Sequence, residues 1–171
     1  AAIILQKGYN KNVLLGSHII GDGTLARTAG VEIGGQANPI NSRNWKEAKK
    51  SLRLMDAQKM KDRLNAVSMP NWIKCIDESL RKSGYTREDF SRDGYLGILH
   101  IKRSGHEWMI NELGLKPEQS IYLENYGHIG QLDQFLSLDL AMKAKKLKKG
   151  TIAILLAAGI GYVWAANVIR W

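Results

Sequence analysis

The sequence predicts an α/β protein with one mixed, five-stranded sheet that helices cover on both faces. Three features of the chain indicate this fold. Two short, aromatic-rich apolar runs each lead to a histidine and are followed by helix-like sequence. Longer stretches with a helical spacing of apolar residues separate the strand-like runs. The C-terminal stretch divides into two strand-length apolar segments with glycines between them, so the predicted order is β-β-α-β-α-β-α-β-β, six strand-like segments of which the sheet would take five.

The first predicted elements are two strands, Ala2–Leu5 and Val13–Ile20, joined by a turn at Gly8–Asn10. A glycine-rich excursion follows, which includes Gly21–Gly23 and Gly30–Pro39. Such a composition lets the backbone wind tightly or approach a ligand closely, but by itself it is a weak signal. The 171 residues are enough for one domain with its own core, and we expect a single domain over residues 1–171.

A long helix is predicted over Asp56–Ser83, because apolar residues recur there at helical spacing and Gly84 follows. Pro70 lies inside this stretch and predicts a kink or a break into two helices. Cys75 falls on the same stretch among apolar neighbours, which favours a packed thiol over a nucleophile. Thr86–Asp89 then predicts a capped turn.

Two strand–helix units come next, namely a strand over Tyr95–His100 with a helix over Ser104–Leu113, and a strand over Ser120–Tyr126 with a helix over Gln131–Lys146. Side chains at the carboxyl ends of strands converge in open α/β sheets although they are remote in sequence. His100 and His128 are therefore candidate site residues. The alternative for each is a histidine that caps the following helix or fills a polar gap. His106 lies inside a predicted helix and is expected at the surface, whereas His18 lies in a predicted strand. Neither has other metal-binding residue types near it in the sequence.

The apolar stretch Ile152–Ile169 follows the lysine-rich run Lys143–Lys149, a pattern typical of a C-terminal membrane anchor with a basic flank. However, Gly159 and Gly161 divide it into two segments of strand length, and Asn167 would be costly in lipid without a partner. We therefore predict a buried hairpin, with a tail-anchored basic protein as the less favoured alternative.

The formal net charge of +9 indicates attraction to something acidic without identifying it. The lysine-rich runs lack the interleaved exposed aromatic residues of a single-strand-binding platform, so we expect no nucleic-acid partner. Cys75 is the only cysteine, which excludes an intrachain disulfide and indicates a reducing, cytoplasmic setting. The chain begins at Ala1 without a charged segment before an apolar core, so we expect no signal peptide. We also expect the chain to be part of a longer protein.

This order of elements, with a histidine after one strand, a Tyr-Gly turn after the next and a Gly-x-Gly hairpin at the end, resembles the C-terminal half of the ketoacyl-acyl-carrier-protein synthase III family. These are condensing enzymes of the thiolase superfamily. The segments that carry the resemblance are Gly21–Thr24, Gly34–Gly35, the long helix from Met55, Leu147–Gly150 and, most specifically, Gly159–Trp171. The resemblance implies one thiolase-like half-fold and a role in fatty-acid or polyketide type biosynthesis.

By this resemblance, His100 matches the family's catalytic histidine and His128 matches the catalytic asparagine that follows Tyr-Gly. Family members acylate a cysteine, then decarboxylate a malonyl thioester to an enolate that attacks the acyl group. The two side chains would donate hydrogen bonds to the thioester oxygen, on which negative charge develops. The backbone of Gly159, Ile160 and Gly161 matches the family's oxyanion loop, although a tight hairpin requires glycine for its own reasons.

The chain departs from the family pattern next to both histidines. Lys102 and Arg103 replace part of the His-Gln-Ala-Asn motif, and they would either face a phosphate or an acidic carrier protein or form an ordinary surface pair. The run from Gly127 to Gln134 is bulkier and more polar than its family counterpart, which puts the common substrate set in doubt. Coenzyme A or phosphopantetheine thioesters are the implied substrates, with no cofactor and no metal.

The family's nucleophilic cysteine belongs to the N-terminal half, and nothing in this chain replaces it. We therefore expect the chain to be inactive alone and to work with an N-terminal half on the same or a separate chain. The resemblance further implies acyl carrier protein or acyl-CoA as partners, a homodimer when complete, and no membrane. The alternative function is a noncatalytic module that binds an acyl thioester or a carrier protein.

Overall fold

A computed structural model of the chain describes residues 3–171. The strands within these residues are β1 (Val13–Gly21), β2 (Ala29–Val31), β3 (Leu52–Leu54), β4 (Gly94–Ile98), β5 (Ile152–Gly159) and β6 (Val163–Arg170). The α-helices in the same range are α1 (Trp45–Ala48), α2 (Ala57–Lys82), α3 (Arg87–Asp93), α4 (Arg103–Glu112) and α5 (Asp133–Lys143).

The main sheet is mixed, with strand order β1-β6-β5-β4. β4 and β5 are parallel, whereas β6 is antiparallel to both of its neighbours. The predicted α/β class is confirmed, but the sheet has four strands instead of five. Among the described residues, the predicted strand Ser120–Tyr126 makes a single parallel bridge, between Ser120 and Leu96. The Ser120 hydroxyl also donates a hydrogen bond to the Leu96 carbonyl oxygen at 2.7 Å. The chain then turns at residues 124–126, which ends the pairing.

The N-terminal part of the chain differs from its prediction in two places. Residues 3–5 are exposed and lie in no strand, while Ala2 of that predicted strand lies outside the described residues. The glycine-rich excursion was expected as a loop, but β2 overlaps it at Gly30 and Val31. β2 pairs with β3, which lies between the excursion and the long helix, and the two form a separate sheet. These strands have three residues each, which is too short for an alternating pattern to be visible in the sequence.

The long helix α2 is continuous and includes Pro70. It begins where the Asp56 carboxylate accepts a hydrogen bond from the Lys59 amide at 3.0 Å. Its second half buries Trp72, Ile76 and Leu80 against the main sheet. Burial of such side chains contributes about 2 kcal/mol each, which offsets the backbone hydrogen bond that a proline removes.

Side chains alternate along the strands and so divide the core between the two faces of the sheet. On one face, Leu96 of β4 and Ile154 of β5 pack with residues of α2, α3 and α4. On the other face, Tyr95 and Leu155 pack with Leu138 of α5. Helices therefore cover both faces, as predicted.

The α5 face of the sheet is only partly covered. Leu14 and Ile19 of β1 pair with Ile169 and Ala165 of β6, which places all four side chains on the side of the sheet that α5 occupies. Leu14 is 51% exposed and Ile19 is 66% exposed. Apolar surface beside α5 thus remains in contact with solvent.

The C-terminal stretch forms the predicted hairpin, with β5 and β6 paired along their whole length. The turn between the two strands spans Ile160 to Tyr162, and Gly161 has φ of 149°, which favours glycine. Within residues 3–171, none of the helices combines the length and the apolar character needed to cross a bilayer.

The junction of α3 and β4 has no linker. The predicted capped turn at Thr86 is confirmed as a capping box, because Thr86 and Asp89 bond reciprocally at the start of α3. The helix leads directly into β4 at Gly94, where the Phe90 carbonyl and ring lie so close that a Cβ atom would overlap them. Glycine is therefore required here by close approach.

Candidate active site

The carboxylate of Asp133 connects the two histidine segments. Its Oδ2 atom accepts a hydrogen bond from the His100 amide at 2.7 Å and lies 2.6 Å from His128 Nδ1. Its Oδ1 atom accepts from the Ile129 amide at 2.8 Å. The Asp133 side chain is fully buried, whereas 54% of the His128 side chain is exposed. The two segments predicted at separate strand ends therefore meet at one carboxylate.

Three hydrogen bonds keep this buried carboxylate ionised. Burial alone would raise the pKa of Asp133, but the amides of His100 and Ile129 and the ring of His128 outweigh it, so the pKa lies below its usual value. An ionised carboxylate can only accept hydrogen bonds. The Nδ1 atom of His128 must therefore carry a proton in this arrangement.

The elements around the site explain why these groups meet. His100 follows β4, whose pairing continues through the Leu99 amide to the Leu156 carbonyl at 3.1 Å. Asp133 is the first residue of α5, where the helix dipole favours a negative charge. Sequence reasoning missed Asp133. The only signal was an acidic residue early in a predicted helix, and such residues are common at helix starts without any link to a site.

The His100 ring is oriented by an aromatic neighbour. Its centroid lies 4.8 Å from that of Tyr122, with the planes at 35°. Tyr122 is held in turn by a hydrogen bond from its hydroxyl to the Ile101 carbonyl at 3.2 Å. Among residues 3–171, no hydrogen-bond partner reaches the buried Nδ1 atom of His100.

His106 was expected at the surface, and this prediction is wrong. The residue is only 7% exposed, because it shares the inward face of α4 with Met109 and Ile110. Its ring meets the edge of Tyr122 at a centroid distance of 5.3 Å. Burial, with smaller contributions from His100 and Arg103, lowers the pKa of His106 to about 4.

The buried His106 predicts that acid destabilises the protein. Between its ordinary pKa of 6.5 and the folded value of about 4, the unfolded chain binds a proton that the folded chain does not, so stability falls as the pH falls. A shift of this size corresponds to about 3 kcal/mol. Urea unfolding at pH 7 and pH 4.5 should show His106→Gln losing less stability on acidification than wild type, whereas His18→Gln keeps the wild-type loss. Equal losses in all three proteins would contradict this assignment.

Arg103 is engaged by groups of its own chain. Its guanidinium lies 4.4 Å from the Tyr122 ring centroid and 2.6 Å from a Glu124 carboxylate oxygen. Lys102 is exposed and directly precedes α4. A phosphate-facing or carrier-facing role for Lys102 and Arg103 stays a prediction.

A cavity of about 370 Å³ lies beside the Asp133 cluster on the α5 side of the sheet. The residues that line it include His128, Gln134, Phe135, Leu155, Gly159 and Ile160. The predicted oxyanion-loop residues Gly159 and Ile160 thus share a cavity with His128. His100 and Gly161 do not line it, and His100 is connected to the group by the hydrogen bond that its backbone amide donates to Asp133.

Cys75 is a packed thiol, as predicted. It is fully buried, its sulfur lies 3.4 Å from the Trp164 carbonyl oxygen, and burial raises its pKa to about 11. The chain's only cysteine is therefore neither accessible nor ionised. Within the described residues, no three His, Cys, Asp or Glu side chains are placed to hold a metal ion.

Comparisons with known proteins agree with this architecture. The beta-ketoacyl-[acyl-carrier-protein] synthase III of Microcystis aeruginosa is 25% identical over 99% of the chain and 50% of its own length. The protein of that name from Porphyra umbilicalis is 41% identical over 49 residues, which are 29% of the chain and 15% of the relative. The chain thus spans half or less of the curated relatives that it matches.

Two solved structures share the fold. The 3-oxoacyl-(acyl carrier protein) synthase III of Pseudomonas aeruginosa PAO1 has a TM-score of 0.72 at 16% identity, over 98% of the chain and 47% of that structure. The beta-ketoacyl synthase III of Thermus thermophilus has a TM-score of 0.69 at 20% identity, over 98% of the chain and 48% of that structure. The half-fold expected from the resemblance is thereby confirmed.

A protein-family profile described as "3-Oxoacyl-[acyl-carrier-protein (ACP)] synthase III C terminal" matches residues 80–171. This match covers more than half of the chain and includes both histidine segments, Asp133 and the C-terminal hairpin. The chain therefore belongs to the C-terminal domain family of the 3-oxoacyl-acyl-carrier-protein synthases III.

Proposed function

We propose that the chain is the C-terminal catalytic domain of an acyltransferase that performs a decarboxylative Claisen condensation of acyl thioesters. His100 and His128 supply hydrogen bonds to the thioester oxygen, and Gly159–Gly161 supplies backbone donors for the acylation step. The substrates are coenzyme A or phosphopantetheine thioesters, delivered as acyl-CoA or on acyl carrier protein. The single observation that carries this proposal is the shared Asp133 carboxylate, which fixes both histidine segments beside one cavity.

The proposed reaction needs these donors because charge develops on oxygen. When a malonyl thioester loses carbon dioxide, the electron pair of the broken bond passes to the carbonyl oxygen and forms an enolate. Each preorganised donor at that oxygen stabilises the transition state by about 3 kcal/mol. His128 uses its Nδ1 proton toward Asp133, so it donates from Nε2 only as the doubly protonated imidazolium.

A cysteine-bearing N-terminal half is part of this proposal, because the buried Cys75 cannot be acylated. The exposed Leu14 and Ile19 beside α5 support it, since they offer apolar surface against which a second half can pack. Together the two halves would form the complete enzyme, which we propose to be a cytoplasmic homodimer. Without the second half, the chain is expected to catalyse no condensation.

The test uses the complete enzyme, in which this chain is joined to the cysteine-bearing half. His100→Ala and His128→Ala are each expected to reduce the rate of malonyl-thioester decarboxylation on the order of a hundredfold, because each removes one donor. Release of labelled carbon dioxide from malonyl thioester measures this rate directly.

His18→Ala is the matched control, because His18 lies in β1 and contacts Lys82 instead of the site. It should leave the decarboxylation rate unchanged. If both site variants decarboxylate at the wild-type rate while the complete enzyme still binds acyl thioester, the domain is a noncatalytic binding module.

A further inference from the structure

The pair formed by Asp133 and His128 sets which nitrogen of the His128 ring is free. Nδ1 points to a fully buried carboxylate, while more than half of the side chain is exposed and lines the cavity. Nδ1 and Nε2 point in divergent directions from an imidazole ring, so Nε2 is directed away from the buried carboxylate that Nδ1 contacts. Because Asp133 can only accept, the neutral His128 ring holds its single proton on Nδ1 and presents the lone pair of Nε2 to the cavity.

This arrangement gives His128 a property that an amide side chain lacks. An asparagine at the same place can donate from its nitrogen but cannot take up a proton at neutral pH. A neutral imidazole with a carboxylate on its other nitrogen is the pair that activates hydroxyl nucleophiles in acyl transfer, because the carboxylate holds the tautomer and stabilises the imidazolium that forms.

We propose that the Asp133–His128 pair makes this site a base-assisted acyltransferase toward a hydroxyl acceptor, in addition to condensation. The inference rests on the proposed function for its acyl donor, which is the thioester on the cysteine of the N-terminal half. His128 is the catalytic base, and Asp133 is the positioning residue that holds its proton on Nδ1. The cavity wall is largely apolar beside His128, with Leu99, Phe135 and Leu155, which suits an alcohol with a short aliphatic body.

The proposed step is balanced in atoms and electrons. Nε2 of His128 removes the proton of the alcohol as its oxygen attacks the acyl carbon, which forms a carbon–oxygen bond and a tetrahedral oxyanion. The carbonyl then re-forms and the carbon–sulfur bond breaks. The cysteine leaves as a thiolate and takes the proton back from the His128 imidazolium, so the products are an ester and the free thiol. No oxidant, reductant or metal takes part.

The first test measures the tautomer and requires no catalysis. Long-range proton–nitrogen NMR spectra of the chain, labelled with ¹⁵N at histidine and recorded at a pH where His128 is neutral, should show its proton on Nδ1. Asp133→Asn should lose that preference, while Asp139→Asn should keep it. Asp139 is the matched control because it lies in the same helix and its carboxylate pairs with the exposed Lys143, away from His128. A wild-type ring with its proton on Nε2 would overturn the proposal.

The second test measures ester formation by the complete enzyme, with an acyl-CoA as donor and 1-butanol as acceptor. His128→Asn and Asp133→Asn are each expected to slow butyl ester formation about a hundredfold or more, the usual contribution of a general base. Asp139→Asn is expected to retain the wild-type rate. Ester formation by His128→Asn at the wild-type rate would overturn the proposal.

The two proposals can fail separately. An enzyme that decarboxylates malonyl thioester but yields no butyl ester refutes the base role and leaves the condensing function in place. An enzyme that forms the ester but releases no carbon dioxide from malonyl thioester refutes the condensing function and supports the base role.

Discussion

Replacing Asp133 with alanine is expected to slow malonyl-thioester decarboxylation by the complete enzyme on the order of a thousandfold. Among residues 3–171, the carboxylate is the group that hydrogen-bonds to both histidine segments, so its loss displaces two donors at once. A displacement of about 1 Å at a catalytic group can cost a hundredfold, and here both donors are affected. The effect should therefore exceed that of either histidine substitution alone.

The same substitution should also destabilise the fold. The amides of His100 and Ile129 lose their acceptor, and each unpaired donor costs about 1–3 kcal/mol. We expect a loss of about 3 kcal/mol in urea unfolding, so the decarboxylation assay must be run on protein shown to be folded. Asp139→Ala, at the exposed surface of α5, should change neither property. A folded Asp133→Ala enzyme with the wild-type rate would contradict the positioning role.

The second large effect concerns stability alone. Gly94→Ala is expected to lower the free energy of unfolding by about 3 kcal/mol or more, because the new Cβ would overlap the Phe90 carbonyl and lie 2.6 Å from a ring carbon. The carbonyl belongs to the last turn of α3 and cannot rotate away. In a domain of this size the melting temperature should fall by about 10 °C, which calorimetry would measure.

Gly23→Ala is the matched control for this prediction. An added Cβ at Gly23 meets no atom within 4 Å, and its φ is not in the left-handed region. Its melting temperature should remain close to that of wild type. If the Gly94→Ala and Gly23→Ala variants have the same melting temperature, the close approach of α3 to β4 does not constrain position 94.

Much of the fold follows from short-range patterns in the sequence. The alternation of side-chain types and the glycines between the two apolar segments after Thr151 distinguish a hairpin from a membrane anchor. The helical spacing of apolar residues predicts α2, α4 and α5. The convergence of the two histidine segments was expected from a rule about strand ends, but only His100 follows a strand, because the run before His128 forms none beyond its bridge at Ser120. The missing fifth strand does not follow, because the apolar pattern of the Ser120–Tyr126 run does not reveal that its pairing stops after one bridge and that the chain turns at residues 124–126.

The details of the site depend on tertiary contacts that no local pattern reveals. His106 is buried because Tyr122, from a distant segment, packs over its side of α4. Asp133 matters because one carboxylate reaches two backbone amides and a ring at once. In the sequence it is one acidic residue among others near a helix start. The proximity of the two histidine segments was therefore predictable, whereas the group that connects them was not, and the catalytic role of the histidines stays a prediction.

The most direct test of the central proposal is a crystal structure of the complete enzyme with a nonhydrolysable malonyl-thioester analogue. We expect His100 and His128 both to lie within hydrogen-bond distance, about 2.7–3.2 Å, of the same thioester oxygen, with Asp133 still bound to His128 Nδ1. A bound analogue whose thioester oxygen contacts neither ring, or contacts one while the other points away, would contradict it.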